Sequence, residues 1–165
     1  MSETEPESLP EATADLVDVL GDQLASVALP FRSFGGRTQF SGPVVTVKCF
    51  EDNALLKQKL AREEAPEGKV LVVDGGGSHR SALVGDIIAG IAVERGWAGL
   101  IIYGVVRDSV ALGTLPIGIK ALGTNPAKSS KTGAGQTDIA IDIAGVTFRP
   151  GSWVYCDEDG IVIGR

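Results

Sequence analysis

Apolar residues fall along this chain in short blocks, each closed by glycine, proline or an acidic turn, and the spacing within each block separates helix from strand. Thr13 is placed to cap a helix with Leu16, Val17, Val19 and Leu20 as its apolar face, and Gly21 ends it. Residues 31–37 read as a loop around Gly35-Gly36. Gly42-Pro43 opens a β-branched run over residues 44–50, which predicts a strand. Glu51-Asp52-Asn53 offers caps for a helix with Leu55, Leu56 and Leu60 turned inward, broken at Pro66 and Gly68. Residues 69–74 are almost continuously apolar, as in a strand covered on both faces. The spacing then predicts a helix over residues 86–95, stopped by Gly96, and a second buried strand over residues 99–104. Strand, helix, strand at these intervals is a βαβ crossover with parallel strands.

Beyond that unit the pattern is mostly β. Strands are predicted at residues 117–122, 139–144, 146–148, 153–156 and 161–163, with turns at 149–152 and 157–160. Residues 124–138 form a long polar loop, and a structureless loop of that length inside a domain is usually functional or partner-bound. Residues 1–12 predict a disordered acidic tail, followed by a single domain over residues 13–165.

Composition narrows the function classes. With 44% hydrophobic but only 5% aromatic residues, the core must be built from Val, Ile, Leu and Ala. A net charge of −6 argues against a general nucleic-acid binder, which needs clustered Lys and Arg, and suits an acidic face that docks on a basic partner. Cys49 and Cys156 lie far apart without zinc-site spacing, so two reduced, buried thiols are expected rather than a disulfide. The opening residues lack the basic and apolar regions of a secretory signal, and no apolar run is long enough to span a bilayer. The expectation is a cytoplasmic protein with no membrane partner.

Candidate chemistry concentrates at two strand ends. In parallel α/β sheets, ligands bind beyond the carboxyl ends of the strands. After the first buried strand, a glycine-rich loop leads to a helix start at Gly85-Asp86-Ile87-Ile88; after the second comes Arg107-Asp108. If the strands are neighbours, Asp86, Arg107 and Asp108 approach one another. A helix start with free N–H groups seats a small carboxylate, and Arg107 brings a planar cation for a carboxylate or an enolate oxygen. Asp86 and Asp108 are hard oxygen donors suited to Mg²⁺ or Mn²⁺. Spacing leaves an alternative open, in which Asp86 is only a helix cap and Arg107-Asp108 a solvated turn.

Other signals are less pointed. His79, the one histidine, reads as a loop residue rather than a general base. Lys48, Lys69 and Lys120 lie on predicted strands without the partners a Schiff-base lysine needs. The run Gly75-Gly76-Gly77 has the wrong spacing for an S-adenosylmethionine loop. Lys128-Ser129-Ser130-Lys131 is assigned to solvent or to a subunit interface.

The segments Phe34-Gly35-Gly36-Arg37, residues 46–53, residues 70–78, Ala82-Leu83-Val84-Gly85-Asp86, Gly104-Val105-Val106-Arg107-Asp108 and Gly145-Val146-Thr147-Phe148 give the chain a resemblance over residues 14–163. It resembles the RraA family, the regulators of ribonuclease E activity, which is closely related to the class II 4-hydroxy-4-methyl-2-oxoglutarate aldolases. The aldolase motif, Asp, twenty residues, Arg-Asp, is matched by Asp86, Arg107 and Asp108.

The resemblance implies a compact β/β/α sandwich of the swivelling-domain type, assembled as a homotrimer or a dimer of trimers. It implies that Asp108 binds a divalent cation, that Asp86 orients the cation's waters, and that Arg107 contacts the 2-oxo group. The substrate carboxylate would rest on the backbone of Gly85, Asp86, Ile87 and Ile88. The implied activity is retro-aldol cleavage of 4-hydroxy-4-methyl-2-oxoglutarate to pyruvate, with oxaloacetate decarboxylation beside it. The alternative it implies is a non-catalytic inhibitor that binds ribonuclease E. A neighbouring subunit would add an acid to the site, for which Asp157, Glu158 and Asp159 are candidates.

Overall fold

The computed structural model describes residues 9–165, so the first eight residues of the expected tail lie outside it. The elements are α1 (Thr13–Leu20), β1 (Leu24–Ser26), β2 (Arg32–Ser33), β3 (Phe40–Lys48), α2 (Ala54–Arg62), β4 (Val70–Asp74), β5 (Ala82–Val84), α3 (Asp86–Arg95), β6 (Gly99–Val106), α4 (Ser109–Leu112) and β7 (Gly118–Thr124). They continue with β8 (Gln136–Thr137), β9 (Ile141–Ile143), β10 (Val146–Phe148), β11 (Trp153–Asp157) and β12 (Gly160–Gly164).

The apolar blocks of the sequence become a parallel sheet. β3, β4, β6 and β7 lie side by side, with Val72 opposite Thr46 on one flank and Ile101 on the other. The expected crossover, β4–α3–β6, is the middle one of three, flanked by β3–α2–β4 and β6–α4–β7. β3 also pairs antiparallel with β11, and β12 and β1 extend that antiparallel half.

Alternation along the strands sends side chains to two cores. On one face Val73, Ile102 and Ile119 pack under Leu56 and Leu60 of α2 and Ala89 and Ala92 of α3. On the other, Val44, Val72 and Ile101 pack against Val154, Ile163 and the β9–β10 hairpin through Ile143 and Phe148. Burying a leucine such as Leu60 contributes about 2 kcal/mol. Helices, parallel sheet and antiparallel sheet make the expected β/β/α layers. Both cysteines are buried and unpaired. Burial, then the charges of Asp52 and Asp74, push the Cys49 thiol up to about 12. No helix among the described residues is long and apolar enough to cross a membrane.

Several local expectations need correction. Thr13 does not cap α1; Ala12 holds that position and Thr13 is the first helical residue. Its N–H and its hydroxyl each donate to the buried Asp157 carboxylate, at 2.7 Å. The cap therefore comes from the other end of the chain. Of the expected apolar face only Leu16 is fully buried; Val17 is 40% and Val19 59% exposed, because α1 covers the sheet edge with one narrow stripe. Asn53 holds the N-cap position of α2 but makes no side-chain cap bond there. The strand expected from residue 44 begins at Phe40, because pairing with β11 recruits residues 40–43.

Burial alone would raise the Asp157 carboxyl, but the bonds from Thr13, then Asp159 and Gly160, hold it below its ordinary 3.8. A depressed folded-state value stabilises the fold above the unfolded value, and that contribution is lost as pH falls through the folded one. Asp157→Asn is expected to cost about 1–2 kcal/mol near neutrality. The gap between variant and wild type should close in acid. Urea unfolding at both pH values checks this; a gap that stays constant would overturn it.

Candidate functional site

The site is assembled by a strand that the sequence pattern does not reveal. β5, only three residues long, lies parallel to the carboxyl end of β6, with Ala82 opposite Val105 and Val84 opposite Val106. The Arg107 N–H donates to the Val84 carbonyl at 3.0 Å. Gly85-Asp86 and Arg107-Asp108 thus leave adjacent strand ends side by side. The expectation that β4 delivers Asp86 is corrected: β4 leads into the glycine loop, and β5 brings the chain back to the edge of the site.

At this junction the Asp86 N–H donates to Asp108 Oδ2 at 3.0 Å. Asp108 itself is left-handed (φ 58°, ψ 41°), a conformation that Asp adopts more readily than most residues. The Asp86 N–H, then the Asp86 side chain and the Arg107 charge, hold the Asp108 carboxyl below the usual carboxylate range, against the effect of burial. It is therefore ionised at neutral pH. Gly85 allows the close approach: a Cβ there would stand 2.5 Å from Asp108 Oδ2 and 3.3 Å from Arg107 Cγ. Arg107 Nη1 donates to the Pro126 carbonyl at 3.3 Å, which tethers the guanidinium to the polar loop.

Gly85 caps α3, and Ala89 is the first residue to bond back to it. The N–H groups of Ile87 and Ile88 therefore have no helical acceptor. The Ile87 side chain is 74% exposed while Ile88 is buried. All six expected residues, Gly85, Asp86, Ile87, Ile88, Arg107 and Asp108, line one cleft of about 560 Å³.

The opposite wall was not foreseen. It consists of Asn53, Lys57 and Arg62 on or beside α2 together with Lys128, Ser129 and Lys131 from the polar loop. Tertiary bonds pin that loop. Ser129 donates to the Ala82 carbonyl at 2.7 Å, and buried Asp52 accepts from the Thr132 N–H and hydroxyl, both at 2.7 Å, and from the Gly133 N–H at 3.1 Å. Burial would raise Asp52, but the Thr132 and Gly133 bonds hold it low. Lys131 Nζ donates to Asn53 Oδ1 at 3.3 Å, and Asn53 Nδ2 to the Leu83 carbonyl at 3.1 Å. Of Lys128-Ser129-Ser130-Lys131, assigned to solvent or an interface, Ser129 is buried, while Lys128 and Lys131 are exposed and line the cleft. Only the length and polarity of the loop pointed to that role.

Other candidates fall outside the cleft. His79 is exposed and its ring meets the Gly77 carbonyl at 3.1 Å. Gly75, Gly76 and Gly77 pack against Leu83, Phe50 and Tyr103. Lys69 is paired with Glu63, and Lys120 is buried on the β/β face of the sheet. Asp157 accepts from Thr13 of α1, and Glu158 accepts from Thr38 at 3.0 Å. Among the described residues no three His, Cys, Asp or Glu side chains converge on a metal position. Two carboxylates fit a hard cation that keeps most of its waters, as Mg²⁺ does, and do not fit a closed zinc cage.

Comparison with known proteins places this geometry. The model of the RraA-like family, described as Aldolase/RraA, matches residues 13–163. A Geobacillus kaustophilus structure named S-adenosylmethionine:2-dimethylmenaquinone methyltransferase is 51% identical, with TM-score 0.90 over 93% of this chain and 94% of that one. The RNA-processing inhibitor RraA from Thermus thermophilis is 44% identical, with TM-score 0.88 over 94% and 93%. Streptomyces coelicolor RraAS2, described as an unusual member of the RNase ES inhibitor RraA family, is 26% identical, with TM-score 0.75 over 95% and 81%. With the family model covering residues 13–163, nearly the whole fold, the chain belongs to the RraA-like family.

Proposed function

We propose that this chain is a divalent-metal-dependent aldolase that cleaves 4-hydroxy-4-methyl-2-oxoglutarate to pyruvate and decarboxylates oxaloacetate as a side activity. The observation that carries this reading is the convergence of Asp86, Arg107, Asp108 and two free helix N–H groups on one cleft. The Ile87 and Ile88 amides, aided by the α3 dipole, seat the carboxylate of the pyruvate half. Arg107 faces the 2-oxo oxygen and offsets the charge that grows there as the C3–C4 bond breaks. Asp108 would hold Mg²⁺ or Mn²⁺, with Asp86 orienting its waters; when bound, the cation supplies Lewis-acid polarisation of the 2-oxo group. Both reactions produce pyruvate enolate, so one site serves both.

A coupled assay of pyruvate release tests this. Release is expected with Mg²⁺ and is expected to vanish on chelation; no metal-dependent pyruvate from either substrate overturns it. The methyltransferase name carried by one relative finds no counterpart in the cleft, since the glycine run packs against Phe50 and Tyr103 instead of lining it.

The assembly we propose is a cytoplasmic homotrimer, or a dimer of such trimers, with the cleft at a subunit boundary. Ile87 beside the cleft and Val110 just beyond Asp108, at 74% and 87% exposure, are the apolar residues a neighbour would cover. Light scattering of a monomer would rule this out. A second reading, inhibition of ribonuclease E by direct binding, is favoured by the names of two relatives and by the net charge of −6. Co-purification with ribonuclease E and slowed RNA cleavage would support it, and absence of any complex at low salt would remove it.

A further inference from the structure

The cleft carries a charge opposite to that of the chain. Five of the 15 Lys and Arg residues line it, Lys57, Arg62, Arg107, Lys128 and Lys131, against two of the 21 acids, Asp86 and Asp108. On the aldolase reading, a divalent cation would balance the two carboxylates and Arg107 would serve the 2-oxo group. Lys57, Arg62, Lys128 and Lys131 then have no carboxylate among the described residues, whereas Lys59, Lys69 and Arg80 elsewhere do. Asn53 at the start of α2 bonds the Leu83 carbonyl just before α3 and holds Lys131, whereas Arg62 lies at the far end of α2, so a ligand seated on the Ile87 and Ile88 amides extends its far end towards Lys131. The wall is also ordered in advance. Asn53, 8% exposed, holds Lys131 by its Oδ1, and Ser129, 7% exposed, fixes the loop to β5.

We propose that this wall seats a second anionic group, a carboxylate on the leaving half of the substrate, and that Lys131 is the residue that sets the preference for dicarboxylic over monocarboxylic 2-oxo acids. This deepens the aldolase reading and rests on it for the orientation of the ligand. The distal carboxylate keeps its charge throughout retro-aldol cleavage. Lys131 therefore contributes equally to ground state and transition state, and its loss acts on KM rather than kcat.

The test has a binding arm and a kinetic arm. With Mg²⁺ present, the full chain is titrated calorimetrically with 2-oxoglutarate and with 2-oxopentanoate, which differ in the distal carboxylate and do not require turnover. The wild type is expected to prefer 2-oxoglutarate by about tenfold or more, as a charge-assisted hydrogen bond provides. Lys131→Met should remove most of that preference and Lys131→Arg should restore it. In turnover, Lys131→Met should raise KM for 4-hydroxy-4-methyl-2-oxoglutarate by about tenfold with kcat within about twofold. Equal wild-type affinity for the two acids overturns the proposal, as does a Lys131→Met variant that weakens both alike. A chain that releases no pyruvate yet shows the Lys131-dependent preference overturns the aldolase reading and leaves the wall standing. One that releases pyruvate but binds both acids alike does the reverse.

Discussion

Asp108→Asn is expected to lower metal-stimulated pyruvate release by about a thousandfold while leaving the fold intact. Asparagine tolerates the left-handed backbone that residue 108 adopts, and its side-chain oxygen still accepts the Asp86 N–H. What the substitution removes is the anionic charge that a hard cation requires. The clean signature is lost activity that added Mg²⁺ does not restore, together with an unchanged unfolding midpoint. Activity within about tenfold of wild type would mean that Asp108 is not the ligand and that the cation, if needed, sits elsewhere.

Gly85→Ala is expected to lower the rate by about a hundredfold through geometry alone. At φ −127° and ψ −163° residue 85 is extended backbone open to alanine, so conformation is not the obstacle. The obstacle is the approach of 2.5 Å to Asp108 Oδ2 and 3.3 Å to Arg107 Cγ. Both are parts of side chains, so they swing aside and the sheet survives, but the carboxylate and the guanidinium no longer share one focus. A steady-state assay beside thermal unfolding separates the two effects: activity should fall and the midpoint should hold. If activity stays within about threefold, these two side chains need not be placed so closely for the reaction.

The helix over residues 86–95 was legible because its end is written locally, in Gly96, and it appears in the structure with those bounds. The buried strands were legible because only a two-faced sheet accommodates such continuous apolar runs. β5 was not: Ala82-Leu83-Val84 is too short to show a period and becomes a strand only because β6 runs past it. The caps of α1 and α2 misled for a related reason. Thr13 and Asp52 have the right chemistry for local caps, yet Asp157 reaches one helix from afar, and Asp52 takes the Ala54 N–H of α2 at 3.3 Å while holding Thr132 and Gly133 as well. In the candidate site, Asp86, Arg107 and Asp108 could be singled out by their spacing at strand ends, but the strand that brings Asp86 beside Arg107-Asp108 is β5 and not β4. Lys131 could not, since its place on the facing wall depends on bonds made by Asn53, Asp52 and Ser129 across the fold.

The clasp between Thr13 and Asp157 spans 144 residues, and β1 likewise finds its partner in β12, with Leu24 opposite Gly164. Segments early in the described chain thus bind segments late in it. During synthesis the β3–β4–β6–β7 unit can form as its strands appear, while α1 and β1 wait with their apolar residues uncovered. Only when β12 is available does the antiparallel layer close, so that layer waits on a segment far from β1 along the chain.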